Sequence, residues 1–343
     1  MERINTSRFR IVFSELAILW VLIILCIVMT AFSDSFLTPL NAITVLKQVS
    51  ILGILAIGAT FVLLSGGIDL SVGSTMALTG VISAMIAKTD SVPLIVPILV
   101  AILLGGGVGL LNGAGVAFAK MPAFIMTLGL MIVLRGTALL IAGGRPVFGL
   151  PDKFMGISGT NVFNIGNVPV STLILYFLAV FAIALFLLNK TVYGKWIYGV
   201  GGNEIAARFS GIKTKRVILS VYIINGLLAG LCGVLMASRI NSGDATVAES
   251  FALDAIAAAV IGGVSLYGGT GKVWKAVLGA LIIGIIQNGL QIMGLSPFVQ
   301  TIIQGSIIVV AVMFDMNIQH SNRRFRKITV IKDEKGGTNE KGN

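Results

Sequence analysis

Charge is what this 343-residue sequence has least of: 25 Lys and Arg, 14 Asp and Glu, and one His, 11% charged residues by the usual four-residue count. Soluble globular chains carry roughly 25%, so there is too little polar surface here to cover a water-facing fold. With 56% hydrophobic residues and a mean hydropathy of +0.98, the chain reads as an integral, multi-pass membrane protein. Cysteine is nearly absent too. Cys26 and Cys232 both lie in apolar runs, which excludes a disulfide framework or a cysteine zinc site and leaves packing. The lone histidine, His320, sits in the polar tail, so neither a histidine triad nor a histidine metal site is available. No grouping of Asp, His or Ser offers a nucleophile and its base, and no residue is assigned a catalytic role.

What is present is hydrophobic length. Apolar runs occur near 16–33, 43–64, 70–87, 93–118, 122–142, 170–188, 217–238, 273–293 and 298–315, each close to the roughly 20 residues that cross ~30 Å of hydrocarbon. A shorter run near 253–266, richer in Ala and Gly, either crosses or re-enters. The run from Leu16 to Phe32 follows a basic start and reads as a retained first span, not a cleaved signal. Basic residues set the orientation. With ten spans and the N-terminus inside, the inner segments hold Lys120, Lys272, Lys275, the basic residues of the N-terminus and tail, and six in one loop. The outer segments hold only Lys88, Arg145, Lys153 and Arg239. The expectation is an all-α polytopic fold of about ten transmembrane helices with both termini cytoplasmic. Residues 1–15 form the N-terminus, 16–315 the membrane domain, and 316–343 a basic, partly disordered tail whose RRFRK run (323–327) suits anionic headgroups. Topology accounts for the net charge of +11, so nucleic acid is not an expected partner.

The 42 glycines suit close helix approach in lipid. Gly105, Gly109 and Gly113 recur at every fourth position, as do Gly226 and Gly230. Two Gly-rich turns, Ser65 to Ile68 and Ile261 to Val264, faintly echo one another. GGTGKV, Gly268 to Val273, lacks the earlier Gly and the following Ser or Thr of a phosphate loop. Asp69, beside Gly66 and Gly67 at an inner turn, fits a cap on the following helix, a relay of movement, or a proton carrier. Arg135 interrupts a span and is either tertiary glue or part of a gate or pathway. Asn225, Gln287, Asn288, Gln291, Gln300 and Gln304 place amides in the later spans. Amides suit a hydroxyl-rich neutral solute and equally suit interhelical hydrogen bonds.

The longest interior polar segment is 189–216, which holds Lys190, Lys195, Arg208, Lys213, Lys215 and Arg216. Within it Gly201 and Gly202 break the chain, Asn203 is placed to cap a short helix, Glu204 follows at its positive end, and Gly211 ends it. Ala206, Ala207 and Phe209 give that helix a small, partly apolar face. Such a helix is either a lever received by another protein or a plain surface helix.

Four ordered blocks now carry a resemblance: SGGIDLSVGS at 65–74, Pro122 to Gly136, GGNEIAARFSGI at 201–212, and LDAIAAAVIGGVSLYGGTGK at 253–272. From about Phe36 to Asp315 the chain resembles the membrane permease subunit of bacterial ribose-type ABC importers, which serve monosaccharides and the autoinducer-2 signal. The resemblance implies a second permease subunit (a copy or a close paralogue), a cytoplasmic ATPase that holds ATP and Mg, and an extracytoplasmic solute-binding protein. This chain itself would bind no cofactor and would have no ATPase site. Gly202, Asn203, Glu204, Ala206, Ala207, Ser210 and Gly211 fall in the region that contacts the ATPase. The outer segments 143–169 and 239–252 would meet the binding protein, with Arg145, Asp152, Lys153, Asp244 and Glu249 as contacts; a solvated loop explains those residues as well. The resemblance implies a sugar-like solute but names no sugar, since Phe251 and Ala252 stand where relatives often have a more polar pair. A permease for a nucleoside or amino acid, and a stand-alone secondary carrier, are the alternatives.

Overall fold

In hydrocarbon no water is available to the backbone, so apolar runs of this length satisfy their own N–H and C=O groups as helices. The computed structural model describes residues 17–313 apart from 90, 166, 167, 249, 308, 311 and 312. The N-terminal segment 1–15, the tail 316–343 and Glu249 therefore lie outside the described residues.

The elements in order are α1 (Ala17–Phe32), α2 (Pro39–Leu64), α3 (Val72–Lys88), α4 (Ile95–Ala117), α5 (Ala123–Ala142), α6 (Asp152–Gly159), β1 (Asn161–Ile165), β2 (Val168–Ser171), α7 (Thr172–Lys190), α8 (Val192–Gly202), α9 (Glu204–Phe209), α10 (Thr214–Ile240), α11 (Phe251–Ile261) and α12 (Val273–Ile292). Helical residues recur over 297–307. Each apolar run expected to be a span contains a helix among the described residues, although the run from 170 begins in β2. Six of these helices, α2, α4, α5, α7, α10 and α12, are long and apolar enough to cross a membrane. The run near 253–266 yields only the 11 residues of α11, about 16 Å at 1.5 Å per residue, roughly half of the hydrocarbon thickness.

α10 is the central post, packed against α2, α3 and α4. Its contact with α4 needs no side chains. A Cβ on Gly105 would overlap the Gly226 carbonyl oxygen, and one on Gly226 would overlap that of Gly105. Gly109 lies against Tyr222 and Ile223, Gly113 against Leu219, and Gly230 against Ala101. The two glycine ladders legible in the sequence thus face each other and bring the two backbones together.

The expectation of purely helical structure needs one correction. The segment 143–169 contains α6 and opens a two-stranded antiparallel hairpin, β1–β2, that pairs Phe163 with Val170 and Ile165 with Val168. Val162, Ile165, Val168 and Val170 are β-branched and favour extended backbone, and this segment lies beyond the helices that must be continuous. Val147 and Gly243 exchange backbone hydrogen bonds of 2.9 and 3.0 Å, which ties this segment to the one that follows α10. At the opposite, basic end, the turn after α2, the α8–α9 segment and the turn after α11 meet.

Candidate functional site

The basic end is built from α8 and α9. Thr191 caps α8 by accepting from the Gly194 N–H, and Asn203 breaks the chain with extended backbone (φ −161°, ψ 102°). The Asn203 Oδ1 accepts from the Ala206 N–H at 2.9 Å, the N-cap expected of that residue. Glu204 then accepts from the Thr214 hydroxyl at 3.0 Å, which fastens α9 to the start of α10. The Ser210 hydroxyl donates to the Ala206 carbonyl. Gly211 takes a left-handed backbone (φ +85°), and the Ile212 N–H returns to the Ala207 carbonyl, closing the helix.

The faces of α9 differ from the expectation in one respect. Ala207 is buried, whereas Ile205 is 70% and Phe209 90% exposed. The outward apolar surface is therefore made by these two large side chains, and Ala206 is exposed beside them. Between α9, the start of α10, the α4–α5 connection and the turn after α2 lies an open basin of about 910 Å³. Lys120, Arg208, Lys213, Lys215 and Arg216 line it, with Glu204 as the acid among them. Lys215 also places its Nζ 5.5 Å from the centre of the Phe118 ring.

Gly66 and Gly67 open the turn 65–71. Gly66 is left-handed (φ +84°), and a Cβ on buried Gly67 would stand 2.6 Å from the Tyr222 hydroxyl. That hydroxyl donates to the Ile68 carbonyl, and the turn folds back among the helices until Asp69 is buried. Its Oδ1 accepts from the Ser71 N–H at 2.9 Å and the Ser71 hydroxyl at 2.7 Å. Its Oδ2 accepts from Asn225 Nδ2 at 2.9 Å. Asn112 Nδ2 reaches Oδ1 at 3.4 Å and the Ser71 hydroxyl at 2.7 Å. Asn225 is the twelfth residue of α10, which begins at Thr214, about 16 Å along it at 1.5 Å per residue. A carboxylate has thus been drawn deep into the bundle, where it starts α3 and ties it to α4 and α10. The Oδ1 atoms of Asn112 and Asn225 are buried and receive no hydrogen bond from the described residues.

The pathway candidates do not form one lining. Asn225 belongs to the Asp69 hub. Asn288 pairs reciprocally with Asn41 of α2 at 2.9 and 3.0 Å, and Gln291 accepts from Gln48 at 3.3 Å. Gln287, Gln300 and Gln304 border a small hollow between α12 and the last apolar segment, and Gln304 donates to the buried carboxylate of Asp254. Asn288, Gln291 and Gln304 thus join separate elements, while Gln300 bonds the nearby Leu295 carbonyl. Arg135 stands apart, on a cleft of about 70 Å³ bordered by Gly73, Ser74, Met131, Ala248 and Ala252. There the start of α3 meets the segment leading into α11, since Gly73 lies directly against Ala248. At the far end Arg145, Asp152 and Lys153 are exposed and Asp244 is half-buried, all on the two segments joined by the Val147–Gly243 bridge.

Sequence reasoning missed Asn112, Ser71 and Tyr222 in the hub and Ile205 on α9. A signal existed for Asn112, an amide within an otherwise apolar run. Nothing local announced that it would meet Asp69.

The sequence as a whole is similar to those of known proteins. Residues 41–312 match the family model described as branched-chain amino acid transport system / permease component. The chain is 40% identical to the ribose import permease protein of Bacillus subtilis over 323 residues, 92% of this chain and 98% of that protein. It is 36% identical to the D-allose transport system permease protein of Escherichia coli, over 82% of this chain and 85% of that one. It is likewise 36% identical to the L-arabinose ABC transporter permease protein of Azospirillum brasilense, over 91% and 90%. No solved structure matches it significantly. Six membrane-length helices and a matched span that takes in the hub, the α8–α9 segment and α11 lead to one conclusion: this chain belongs to the branched-chain amino acid transport system / permease component family of membrane permeases.

Proposed function

We propose that the chain is the membrane subunit of an ABC importer and forms the translocation pathway for a monosaccharide or related sugar-like solute. The observation that carries this reading is its likeness, over nearly their whole length, to permeases named for ribose, allose and arabinose. In this reading the chain hydrolyses no ATP. A separate cytoplasmic ATPase holds ATP and Mg, a solute-binding protein delivers the sugar, and a second permease subunit, a copy or a paralogue, completes the pathway. About ten membrane segments with both termini inside put the basic end in the cytoplasm.

The ATPase is received at α9, where Ile205 and Phe209 offer apolar contacts and the basin cations suit an acidic rim. Gly202, Asn203, Glu204, Ala206, Ala207, Ser210 and Gly211 form and bound that helix and belong to the same contact region. Arg145, Asp152, Lys153 and Asp244 face the binding protein. Arg135, on the cleft between the two short helices, serves the pathway. A second reading, an amino acid as solute, rests on the wording of the family description. Proteoliposomes holding the chain, its ATPase and its binding protein test both. The expected outcome is ATP-dependent uptake of a labelled pentose or hexose. Uptake of branched-chain amino acids but no sugar would establish the second reading, and uptake by the chain alone would overturn both.

A further inference from the structure

At the basic end three chain segments meet backbone against backbone. The Gly269 N–H donates to the Leu64 carbonyl at 2.9 Å. Gly201, near the end of α8, lies over that bond: a Cβ there would overlap the Leu64 oxygen and stand 2.6 Å from Gly269 N. A Cβ on Gly268 would stand 2.8 Å from the Gly201 oxygen and 2.9 Å from Gly66 Cα. Gly66, Gly268 and Gly269 all have left-handed backbone, with φ of +84°, +87° and +71°. The Tyr198 hydroxyl adds a bond to the Gly271 carbonyl at 2.9 Å. Side chains absorb small displacements by changing rotamer. A junction made of main chain has no such slack, and close-packed contacts shift as units.

We propose that Gly201 is a positioning residue of transport: its contact with Leu64 and Gly269 clasps α8–α9, the turn that starts α3 and the turn that follows α11 into one moving body. A single capped residue, Asn203, links α8 to α9, so a push on α9 reaches the clasp without a flexible joint. From there it passes to the Asp69 turn, and so to α3, and to the C-terminal end of α11. Those are the two short helices whose other contact borders the Arg135 cleft. One input from the ATPase therefore acts on both sides of that cleft. The inference rests on α9 receiving the ATPase and adds the route by which its movement is used.

The test is carried out on the reconstituted importer with its ATPase and binding protein. Gly201 and Gly199 share α8, and neither has a left-handed backbone; a Cβ on Gly199 would meet only Ile212 at 3.7 Å. Solute taken up per ATP hydrolysed is expected to fall by about tenfold or more in Gly201→Ala, within the range of coupling effects, and by less than about twofold in Gly199→Ala. A wild-type ratio in Gly201→Ala overturns the clasp. Should Gly201→Ala fail to assemble, paired spin labels at Lys195→Cys on α8 and Tyr267→Cys decide, in a chain with Cys26 and Cys232 replaced. Their separation is expected to stay fixed through the ATP cycle while that from Lys195→Cys to Phe124→Cys changes. A Lys195–Tyr267 separation that changes as much overturns the proposal. If the ATPase binds elsewhere, Glu204→Arg keeps full uptake. If only the clasp is wrong, Glu204→Arg is inactive and Gly201→Ala active.

Discussion

The Asp69 hub and the basic basin are two polar regions reached from the same basic end of the molecule, and they are opposites. The hub buries one carboxylate among neutral donors, Ser71, Asn112 and Asn225. The basin gathers five cations around Glu204 and leaves them open. A buried charge that loses its donors is costly, so the hub fixes where α3 begins and what it touches. Exposed cations contribute little to the fold and are available to a partner. The hub specifies structure, and the basin and α9 offer a surface.

The largest expected effect breaks the hub. Asp69→Ala leaves the Ser71 N–H, the Ser71 hydroxyl and the Asn225 amide without their acceptor, and about 3 kcal/mol of unfolding free energy should be lost, measured by denaturation in mixed detergent. Asp69→Asn should cost about 1 kcal/mol, because rotation of the Asn225 amide brings its unpartnered Oδ1 to the new N–H₂. Equal losses in the two variants would show that the hub is not held by these bonds. Next comes the surface. Phe209→Ala should weaken ATPase binding by roughly tenfold, as loss of an apolar anchor does, with unfolding unchanged. A smaller effect belongs to the basin: Lys213→Glu should reduce the salt dependence of ATPase association more than its strength at high salt.

The helices were legible because hydrophobic length and glycine spacing are local properties. Gly105 and Gly109 meet Gly226 and Gly230 as their spacing suggests, with Gly113 continuing the contact against Leu219, and Asn203 and Gly211 bound α9 as their chemistry requires. Depth and pairing were not legible. Asp69 reads as a residue of an exposed-type turn, yet the turn folds inward until it meets Asn112 and Asn225, 43 and 156 residues away. Asn288 and Gln291 of α12 bond Asn41 and Gln48 of α2, pairings across 247 and 243 residues that no local pattern announces. Gly201 looked like a chain break, and its close approach to Leu64 is visible only once three distant segments are brought together. The β1–β2 hairpin went unread because two short strands carry little periodicity.

The measurement that bears most directly on the account is the affinity of the purified ATPase for the Glu204→Arg chain, with uptake followed in the same preparation. A guanidinium in place of the Glu204 carboxylate cannot accept from the Thr214 hydroxyl and adds a cation to a basin that already has five. Membrane insertion should be unchanged, ATPase affinity should fall by about tenfold or more, and uptake should fall with it. Wild-type affinity together with normal uptake would contradict the assignment of α9 as the place where the ATPase acts.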